Sequence, residues 1–251
     1  MRTISLNEKD ALRPILEHMR VPSDGILVVH SAIAPLSRRG FRAEAMVECL
    51  LDHLSDGTLI MPTMTWRTVT PRHPFWDEIQ TPSHTGVLTE VFRTKYATAR
   101  SIHPTHSVAA CGRNATTLLA RHHLADNPVS ANSPYGLMRN HTAFILMVGV
   151  GLESCTAIHL AEEAVAPDVY LQPEVENYQC RDRNGTVHRV GTRRHRRLNR
   201  DFPKFAALLE KQDGMRSGEV EGCPYQIVSL TALLDQVFSA LGQNERATLA
   251  V

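Results

Sequence analysis

Hydrophobic positions in the first quarter of the chain follow two alternating patterns. Residues 25–30 form a short apolar run that is typical of a buried strand. The next apolar residues stand at the spacing of an amphipathic helix, at Ala43, Met46, Val47, Leu50, Leu51 and Leu54. Gly57 ends this helix, and residues 58–61 form a second apolar run. Because strand, helix and strand follow in this order, the sequence predicts a βαβ unit with a parallel sheet.

The same two patterns continue along the middle of the chain. The apolar run 143–150 is the clearest central strand. Helical spacing predicts further helices over residues 12–19 (after a capping-box pattern at Ser5 and Glu8), over residues 87–92, over residues 115–119 and from Thr156. Helices and strands therefore alternate, which indicates an α/β protein.

Residues after about 170 have a different character. Asn184-Gly185 lies between the strand-like segments 177–183 and 186–190, and this dipeptide is the strongest short signal for a β-hairpin. A polar stretch follows, and then a helix capped by Ser229. The length of 251 residues suits one large α/β domain or two closely packed ones.

Composition and charge exclude several classes of protein. The chain has 43% hydrophobic and 21% charged residues, which is ordinary globular usage and excludes disorder, collagen and coiled coil. The net charge of +1 gives no global attraction to nucleic acid or to an anionic membrane. There is no apolar run of about 20 residues and no apolar signal core. We therefore expect a soluble, cytoplasmic protein with no membrane or nucleic-acid partner.

Histidines are the main candidates for chemistry, since the chain has 13 of them. His30 ends the first strand, and strand ends are where open α/β sheets bind ligands. His103 and His106 lie in a polar cluster before an apolar run. His159 has Glu162 and Glu163 at positions i+3 and i+4, so a helix places a carboxylate beside its imidazole; this pair can be a general base or an ordinary surface ion pair. We expect six of the others, which sit in polar settings, to be solvated, namely His53, His73, His122, His123, His188 and His195.

Several other patterns leave alternatives open or can be set aside. Gly149 and Gly151 begin a dinucleotide fingerprint, but Ser154 stands where the third glycine belongs. Cys155 is either a nucleophile or a small buried core residue. The five cysteines have no close pairs, and there is no HExxH pattern, which argues against a disulfide framework and a structural zinc. The basic run 193–197 either binds phosphate or is a solvated face.

Ordered blocks of the sequence resemble the aminoglycoside 3-N-acetyltransferase family, whose members use acetyl-coenzyme A. The blocks are LVVHS (27–31), GTLIMPT (57–63), TPSHTGVLTEVFR (81–93), RSIHPTHSVAA (100–110), Ser133-Pro134, LMVGV (146–150) and TAIHLAE (156–162). They span about residues 25–165 in the family's order, and the likeness is weaker over residues 170–251. We therefore interpret residues 1–251 as a single domain of this type.

The resemblance implies a fold and a cofactor. The fold is a three-layer α/β/α arrangement with a mostly parallel central sheet and a smaller C-terminal hairpin and helical part, unlike that of GNAT acetyltransferases. Acetyl-CoA is the implied cosubstrate and no metal is implied. By this likeness His159 is the catalytic histidine and Glu162 its carboxylate partner. The segments that hold the cofactor contain His30, Ser31, Ala32, Ile33, Arg100, Ser101, His103, Ser107 and Val108.

Two features qualify the match to the family. Ala32 stands where the family usually has a second serine, so one hydrogen bond to the coenzyme is expected to be missing. The second feature concerns the acceptor. Polycationic aminoglycosides need carboxylates around their amines, while the chain is near neutral and has five basic residues at 193–197. Residues 63–86 carry several prolines and both tryptophans, and a structured loop of this length is usually functional. Within it, Trp66, Asp77 and Glu78 are our candidate acceptor wall.

The resemblance therefore implies an acetyl-CoA-dependent N-acetyltransferase that acts on an amine of an aminoglycoside-like or other small-molecule acceptor. The amine would attack the thioester directly, with a histidine as general base. Backbone N–H groups, Ser107 or Thr156 are the candidate donors to the oxyanion. Two alternatives stay open: a coenzyme A-binding protein without transferase activity, and a metal-dependent hydrolase using His103, His106 and His159. A homodimer also stays open.

Overall fold

A computed structural model describes residue 10 and residues 12–250 of the chain. The helices are α1 (Arg13–His18), α2 (Ala34–Ser37), α3 (Ala43–His53), α4 (Val87–Lys95), α5 (Ala115–Leu119), α6 (Pro134–Met138), α7 (Ile158–Val165), α8 (Pro167–Tyr170), α9 (Ala206–Lys211) and α10 (Leu230–Gln243). The strands are β1 (Ile26–Ser31), β2 (Thr58–Pro62), β3 (Phe75–Asp77), β4 (Ala99–Arg100), β5 (Val108–Gly112), β6 (Ala143–Val148), β7 (Glu176–Arg181), β8 (Val187–Thr192), β9 (Met215–Val220) and β10 (Cys223–Ser229).

The central sheet contains seven strands in the order β4-β5-β2-β1-β6-β10-β9. Its middle strand β1 is parallel to β2 on one side and to β6 on the other, as the βαβ pattern predicted. Outside this parallel centre every pairing is antiparallel: β5 with β2, β4 with β5, β10 with β6, and β9 with β10. The α/β class is therefore confirmed, and within this sheet the parallel pairing involves the three strands β2, β1 and β6.

Helices cover both faces of this sheet because side chains of the central strands alternate between two cores. Ile26 and Val28 of β1 pack into a core that includes residues of α5, α6, α7 and α10. Leu27 and Val29 pack into the opposite core, with α1, α3 and α4. A strand that is apolar on both faces is the pattern of a sheet buried between two helical layers. The predicted α/β/α layering is confirmed.

A second, smaller sheet follows the order β3-β7-β8. The strands β7 and β8 form the hairpin predicted at Asn184-Gly185, and they pair from Glu176↔Thr192 to Arg181↔Val187. The strand β3, which comes from the proline-rich loop, pairs in parallel with β7. A separate small core holds this sheet together and contains Val69, Trp76, Tyr178, Cys180 and Val190. The loop is thus tied to the C-terminal part of the chain.

The strands β9 and β10 were not expected, since the segment before Ser229 reads as a polar stretch. Only Met215 and Val220, the ends of β9, are buried, so this edge strand shows no alternation that could reveal it. The chain turns at Glu221 and Gly222, both with positive φ. The two strands extend the main sheet through pairs such as Tyr225↔Val148. The last part of the polar stretch, from Met215, therefore belongs to the central sheet.

The remaining elements agree with the sequence where the structure describes them. The capping pattern at Ser5 and Glu8 lies outside the described residues; α1 begins at Arg13, with Pro14 in its first turn, where a missing N–H is harmless. The Ser229 hydroxyl accepts a hydrogen bond from the N–H of Ala232 and caps α10. In the part of the chain that is described, none of the helices has the length and apolarity needed to cross a bilayer. The single-domain interpretation stays a prediction.

Gly149 is expected to be the least replaceable glycine near the end of β6. Its φ is +68°, and a Cβ there would lie 2.3 Å from the carbonyl oxygen of Ala32. We expect Gly149→Ala to add this clash to the backbone strain of about 1–3 kcal/mol. Gly40→Ala is the matched control, because Gly40 also has positive φ but has no atom within 4 Å of its Cβ position. Urea unfolding should show a clearly larger decrease in the free energy of unfolding for Gly149→Ala than for Gly40→Ala. Equal decreases would contradict this interpretation.

Candidate active site

Two clefts meet where the parallel strands of the central sheet end. The first, of about 550 Å³, is called the strand-end cleft here; its walls include His30, Ser31, Ala32, Pro62, Gly86 and Thr156. The second, of about 610 Å³, is called the arginine cleft; its walls include Arg67, Glu176, Arg194, Arg196, Arg197 and Arg200. Both clefts are also lined by the same four residues, Trp66, Arg67, His106 and His159. His159 therefore lies where the two clefts join.

His159 lies in the first turn of α7, shortly after the end of β6. Its Nδ1 is 2.6 Å from Oε2 of Glu162, one turn along the same helix. The side chain of Glu162 is fully buried, whereas that of His159 is 17% exposed. Because a carboxylate only accepts a hydrogen bond, Nδ1 carries the proton and Nε2 is left with its lone pair. The pair can accept a proton from a ligand in the clefts.

The Glu162 carboxylate is held by residues from the far C-terminal part of the chain. Nε of Arg200 lies 3.1 Å from both carboxylate oxygens. The hydroxyl of Thr248 donates to Oε1 at 2.5 Å. Burial works against ionisation, but the charge and hydrogen bond of His159, with Arg200 and Thr248, hold the pKa of Glu162 below its ordinary value. The residue is therefore an anion that orients and supports the imidazole.

His195 is a site residue that the sequence did not reveal. It was expected to be solvated, but its ring centroid lies 4.2 Å from that of His159 and its side chain is largely buried. Its Nε2 is 2.7 Å from Oε1 of Glu163, and the N–H of Val129 donates to both oxygens of that carboxyl group. Burial raises the pKa of Glu163 well above its ordinary value and lowers that of His195 well below it. Burial therefore favours the neutral form of both groups.

A row of buried histidines extends from His195 into the protein. The ring of His106 meets that of His195 at a centroid distance of 5.0 Å, and His103 stacks on His122 at 4.4 Å. Burial lowers the pKa of His106 well below its ordinary value, and a proton taken up by His159 would act in the same direction. His122, which was expected to be solvated, is completely buried. These neutral rings form one wall behind His159.

In the strand-end cleft the strand β1 presents His30 and Ser31, followed by Ala32. Burial lowers the pKa of His30 to about 4, so its ring is neutral. Its buried Nε2, like both ring nitrogens of His84 in the same cleft, has no hydrogen-bond partner within the described residues. Such atoms are available to a ligand. Ile33, by contrast, is buried in the hydrophobic core and does not line the cleft.

Arg100 acts as the centre of a buried hydrogen-bond network. Burial lowers its pKa to about 9, which still leaves the side chain cationic at pH 7. Its guanidinium donates to neutral oxygens, namely Thr63 Oγ1, Ser107 Oγ and the carbonyls of Thr63, Glu78 and Thr81. Arg100 thereby ties β4 to the proline-rich loop, and it lines neither the strand-end cleft nor the arginine cleft.

The neighbours of Arg100 are also buried and bonded within the protein. The hydroxyl of Ser101 contacts Nδ1 of His122 and accepts from the N–H of Val108. Nδ1 of His103 accepts from two backbone N–H groups, and the hydroxyl of Ser107 donates to the carbonyl of Thr63. None of these residues lines either cleft. The structure gives them a scaffolding role, and their contact with a cofactor stays a prediction.

The structure does not bring Asp77 and Glu78 to the acceptor wall that the sequence suggested. Asp77 accepts a hydrogen bond from Nε of Arg181 at 2.5 Å, and Glu78 accepts one from Nε of Arg183 at 2.6 Å. Both carboxylates are buried and join the proline-rich loop to the β7–β8 hairpin. Of the three proposed wall residues, only Trp66 lines the clefts. The sequence prediction failed because it did not include the basic residues of the hairpin, about 100 positions further on, which bind these two carboxylates.

Two alternatives from the sequence find no support in the geometry. Burial raises the pKa of the Cys155 thiol to about 12, which keeps it protonated and unsuited to act as a nucleophile. Among the described residues, no group of three or more histidine, cysteine or acidic side chains is arranged to hold a metal ion. A hydrolase built on His103, His106 and His159 therefore has no metal-binding arrangement in this part of the chain.

The fold and the histidine–carboxylate pair define an α/β protein with a candidate base between two ligand clefts. A sequence model of the aminoglycoside 3-N-acetyltransferase family matches residues 28–241, and the chain belongs to this family. It is 25% identical over 175 residues to the aminoglycoside N(3')-acetyltransferase-like protein YokD of Bacillus subtilis, covering 61% of this chain and 64% of that protein. It is 28% identical over 137 residues to aminoglycoside N(3)-acetyltransferase VII of Streptomyces paromomycinus, covering 47% of each.

Solved structures share the fold over nearly the whole chain. The YokD crystal structure matches with a TM-score of 0.75 at 21% identity, covering 94% of this chain and 99% of that one. A structure of AAC-IIIb with CoASH matches with a TM-score of 0.76 at 20% identity, covering 94% and 96%. The structure of AAC-VIa bound to sisomicin also matches with a TM-score of 0.76, at 19% identity, covering 95% of this chain and 98% of that one. The sequence matches themselves span only 47% to 64% of the two curated relatives.

We expect Glu162→Gln to destabilise the fold more at neutral pH than in acid. Glutamine leaves Arg200 without its carboxylate, and breaking a buried pair costs about 3–5 kcal/mol. The folded-state pKa of Glu162 lies below its unfolded value, so the stability from its charge is present above the unfolded pKa and is lost as pH falls through the folded one. Urea unfolding of wild type and variant at about pH 7 and about pH 3 measures the change.

The control for this experiment is Glu174→Gln, because Glu174 is exposed. It should leave the unfolding curve almost unchanged at both pH values. If the difference in free energy of unfolding between wild type and Glu162→Gln does not change with pH, the Glu162 carboxylate is not ionised in the folded protein.

Proposed function

We propose that this protein is an acetyl-CoA-dependent N-acetyltransferase that acts on a small-molecule amine, with His159 as the general base. The observation that carries the proposal is the Nδ1–Glu162 hydrogen bond of His159, at the junction of two clefts. A transfer between two substrates needs this layout, because the base must reach an amine while that amine meets the thioester. Membership of the family supports the same chemistry.

The proposed reaction balances with the groups that His159 provides. The amine nitrogen attacks the thioester carbonyl carbon, and its proton passes to Nε2 of His159. The carbon–sulfur bond then breaks, and the imidazolium returns the proton to the departing thiolate of coenzyme A. Glu162 stays ionised throughout and stabilises the imidazolium that forms between the two steps. The products are an N-acetylated amine and free coenzyme A.

The developing oxyanion needs a hydrogen-bond donor close to the base. The sequence offered backbone N–H groups, Ser107 and Thr156 for this role. Ser107 donates to the carbonyl of Thr63 and lines neither cleft, so its hydroxyl is already used. Thr156 lines the strand-end cleft together with His159. We assign the role to Thr156 or to a backbone N–H group beside it.

The strand-end cleft is our proposed site for the coenzyme. Its unpaired ring nitrogens on His30 and His84 fit the amide groups of a pantetheine chain, which need donors and acceptors along an extended path. The solved structure of AAC-IIIb, which shares this fold, is a binary complex with CoASH, and this supports coenzyme binding by the family. When bound, the coenzyme would supply the acetyl thioester, and His30, Ser31 and Ala32 would line its path to His159.

Replacing His159 by Ala should abolish transfer and leave coenzyme binding nearly intact. Loss of a general base costs about 10²–10⁴-fold in kcat. Thiol release from acetyl-CoA in the presence of an amine measures the rate, and calorimetry measures the affinity for coenzyme A. His141→Ala is the matched control, since His141 is exposed at the amino end of β6, far along the strand from the clefts. If the kcat of His159→Ala stays within about tenfold of the wild-type value, another residue is the general base.

Transfer measurements also separate this proposal from a coenzyme-binding protein without catalysis. That alternative requires wild-type protein to bind coenzyme A and to release no thiol with any amine tested. Such a result with folded protein would overturn the proposed function.

Ala32→Ser should tighten coenzyme binding or leave it unchanged. Ala32 is exposed in the strand-end cleft, so a hydroxyl there has room and can add a hydrogen bond worth about 0.5–1.5 kcal/mol. Calorimetry with coenzyme A tests this directly. A large loss of affinity would show that the coenzyme does not pass beside Ala32.

A further inference from the structure

The arginine cleft is lined by five arginines and one acidic residue, Glu176, among the described residues. We propose that the acceptor amine carries an anionic group, a phosphate or a carboxylate, which the arginine cleft binds while the amine faces His159. This inference rests on the proposed function, and it assigns the acceptor to a class of amines that differs from a polycation.

Several guanidinium groups of this cleft are held in ways that leave their charge available. Arg196 donates to the carbonyl of Leu171 at 2.8 Å. Arg194 donates to the carbonyl of Trp66 at 2.7 Å, and its charge is partly paired because it also lies 3.7 Å from the carboxylate of Glu176. A carbonyl fixes the position of a guanidinium and does not neutralise it. Arg67 lies over the Trp66 ring at 4.9 Å, which is also a contact without a negative charge. Such fixed cations are suited to bind phosphate or carboxylate through paired hydrogen bonds.

Three of these arginines have no acidic partner within residues 12–250, namely Arg67, Arg196 and Arg197, and all three are exposed. Arg196 is bonded to the Leu171 carbonyl, whereas the guanidinium groups of Arg67 and Arg197 make no hydrogen bond within these residues. Arg200 is different, because it is paired with the buried Glu162 and belongs to the base. Arg67 and Arg197 are therefore the guanidinium groups that an entering anion would meet first.

The carboxylates near this cleft are already in use. Glu176 is the one acidic residue among its described lining residues, and it accepts from the hydroxyl of Tyr178 at 2.5 Å and lies 3.7 Å from Arg194. Glu162 and Glu163 are buried behind the cleft and are bonded to His159 and His195. A polyammonium ligand would thus meet several cations and no free carboxylate, which disfavours its binding.

Coenzyme A itself carries phosphates, which the arginines could bind in place of an anionic acceptor. The experiment must distinguish these two ligands. The test therefore compares acetyl-CoA with S-acetylpantetheine, which has the same thioester and lacks the nucleotide and every phosphate. If the arginines bind the phosphates of the coenzyme, their loss raises the KM of acetyl-CoA and leaves that of S-acetylpantetheine unchanged. If they bind the acceptor, the KM of the acceptor rises with either acetyl donor.

The acceptor probes are glucosamine 6-phosphate, glucosamine and kanamycin, which compare an anionic, a singly charged and a polycationic amine. Wild-type protein should use glucosamine 6-phosphate with the highest kcat/KM. Arg67→Gln and Arg197→Gln should each raise the KM for glucosamine 6-phosphate by roughly ten- to hundredfold, the loss expected for a charged hydrogen bond. The KM for glucosamine should hardly change. Arg72→Gln is the matched control, because Arg72 is exposed in the same loop and lines neither cleft.

Calorimetry gives a readout that does not depend on transfer. Glucosamine 6-phosphate should bind wild type and Arg72→Gln with equal affinity, and bind the double variant Arg67→Gln/Arg197→Gln at least tenfold more weakly. Circular dichroism of the double variant should match wild type, since both side chains are exposed.

The outcomes separate the two proposals. If wild-type protein acetylates no amine, the proposed function fails and this inference fails with it. If wild type acetylates kanamycin or glucosamine better than glucosamine 6-phosphate, and the arginine variants leave those rates unchanged, only the anionic acceptor is overturned. A rise in KM restricted to acetyl-CoA also overturns it, because the cleft would then bind the coenzyme's phosphates.

Discussion

The fully buried carboxylate of Glu162 is the constraint on which the rest of the site depends. A buried anion is stable only when charged and hydrogen-bonded partners surround it. Here one partner is local, His159 on the same helix, and two are distant along the chain: Arg200 after the small sheet, and Thr248 beyond α10. The C-terminal third of the chain is thus needed to keep the carboxylate ionised and the imidazole of His159 oriented.

Local sequence signals were enough for the parts of the fold that depend on neighbours in the chain. The strands β1, β2 and β6 are continuous apolar runs, and the β7–β8 hairpin is marked by Asn184-Gly185. The pairing of His159 with Glu162 also follows from a separation of three residues on a helix. The edge strand β9 has no such signal, because most of it is exposed and polar.

The residues that were misplaced are those whose partners are far away in sequence. Asp77 and Glu78 are acidic residues in a functional-looking loop, yet arginines 104 and 105 positions later neutralise them. His195 lies within a basic run that looks solvated, and only its contact with Glu163, 32 positions earlier, explains its burial. Spacing along the chain carries no information about such pairs. The sequence therefore located the candidate base and misjudged the surroundings that decide which amine reaches it.

The two clefts share Trp66 and Arg67, and this common wall has a thermodynamic consequence. The ring of Trp66 carries Arg67 on its face, and its carbonyl holds Arg194. A ligand that shifts or orders this segment on entering one cleft changes the free energy of binding in the other. Such coupling is reciprocal, so the factor by which one substrate alters the affinity for the second is also the factor by which the second alters the first. Any cooperativity between ligands of the two clefts would therefore depend on this common wall.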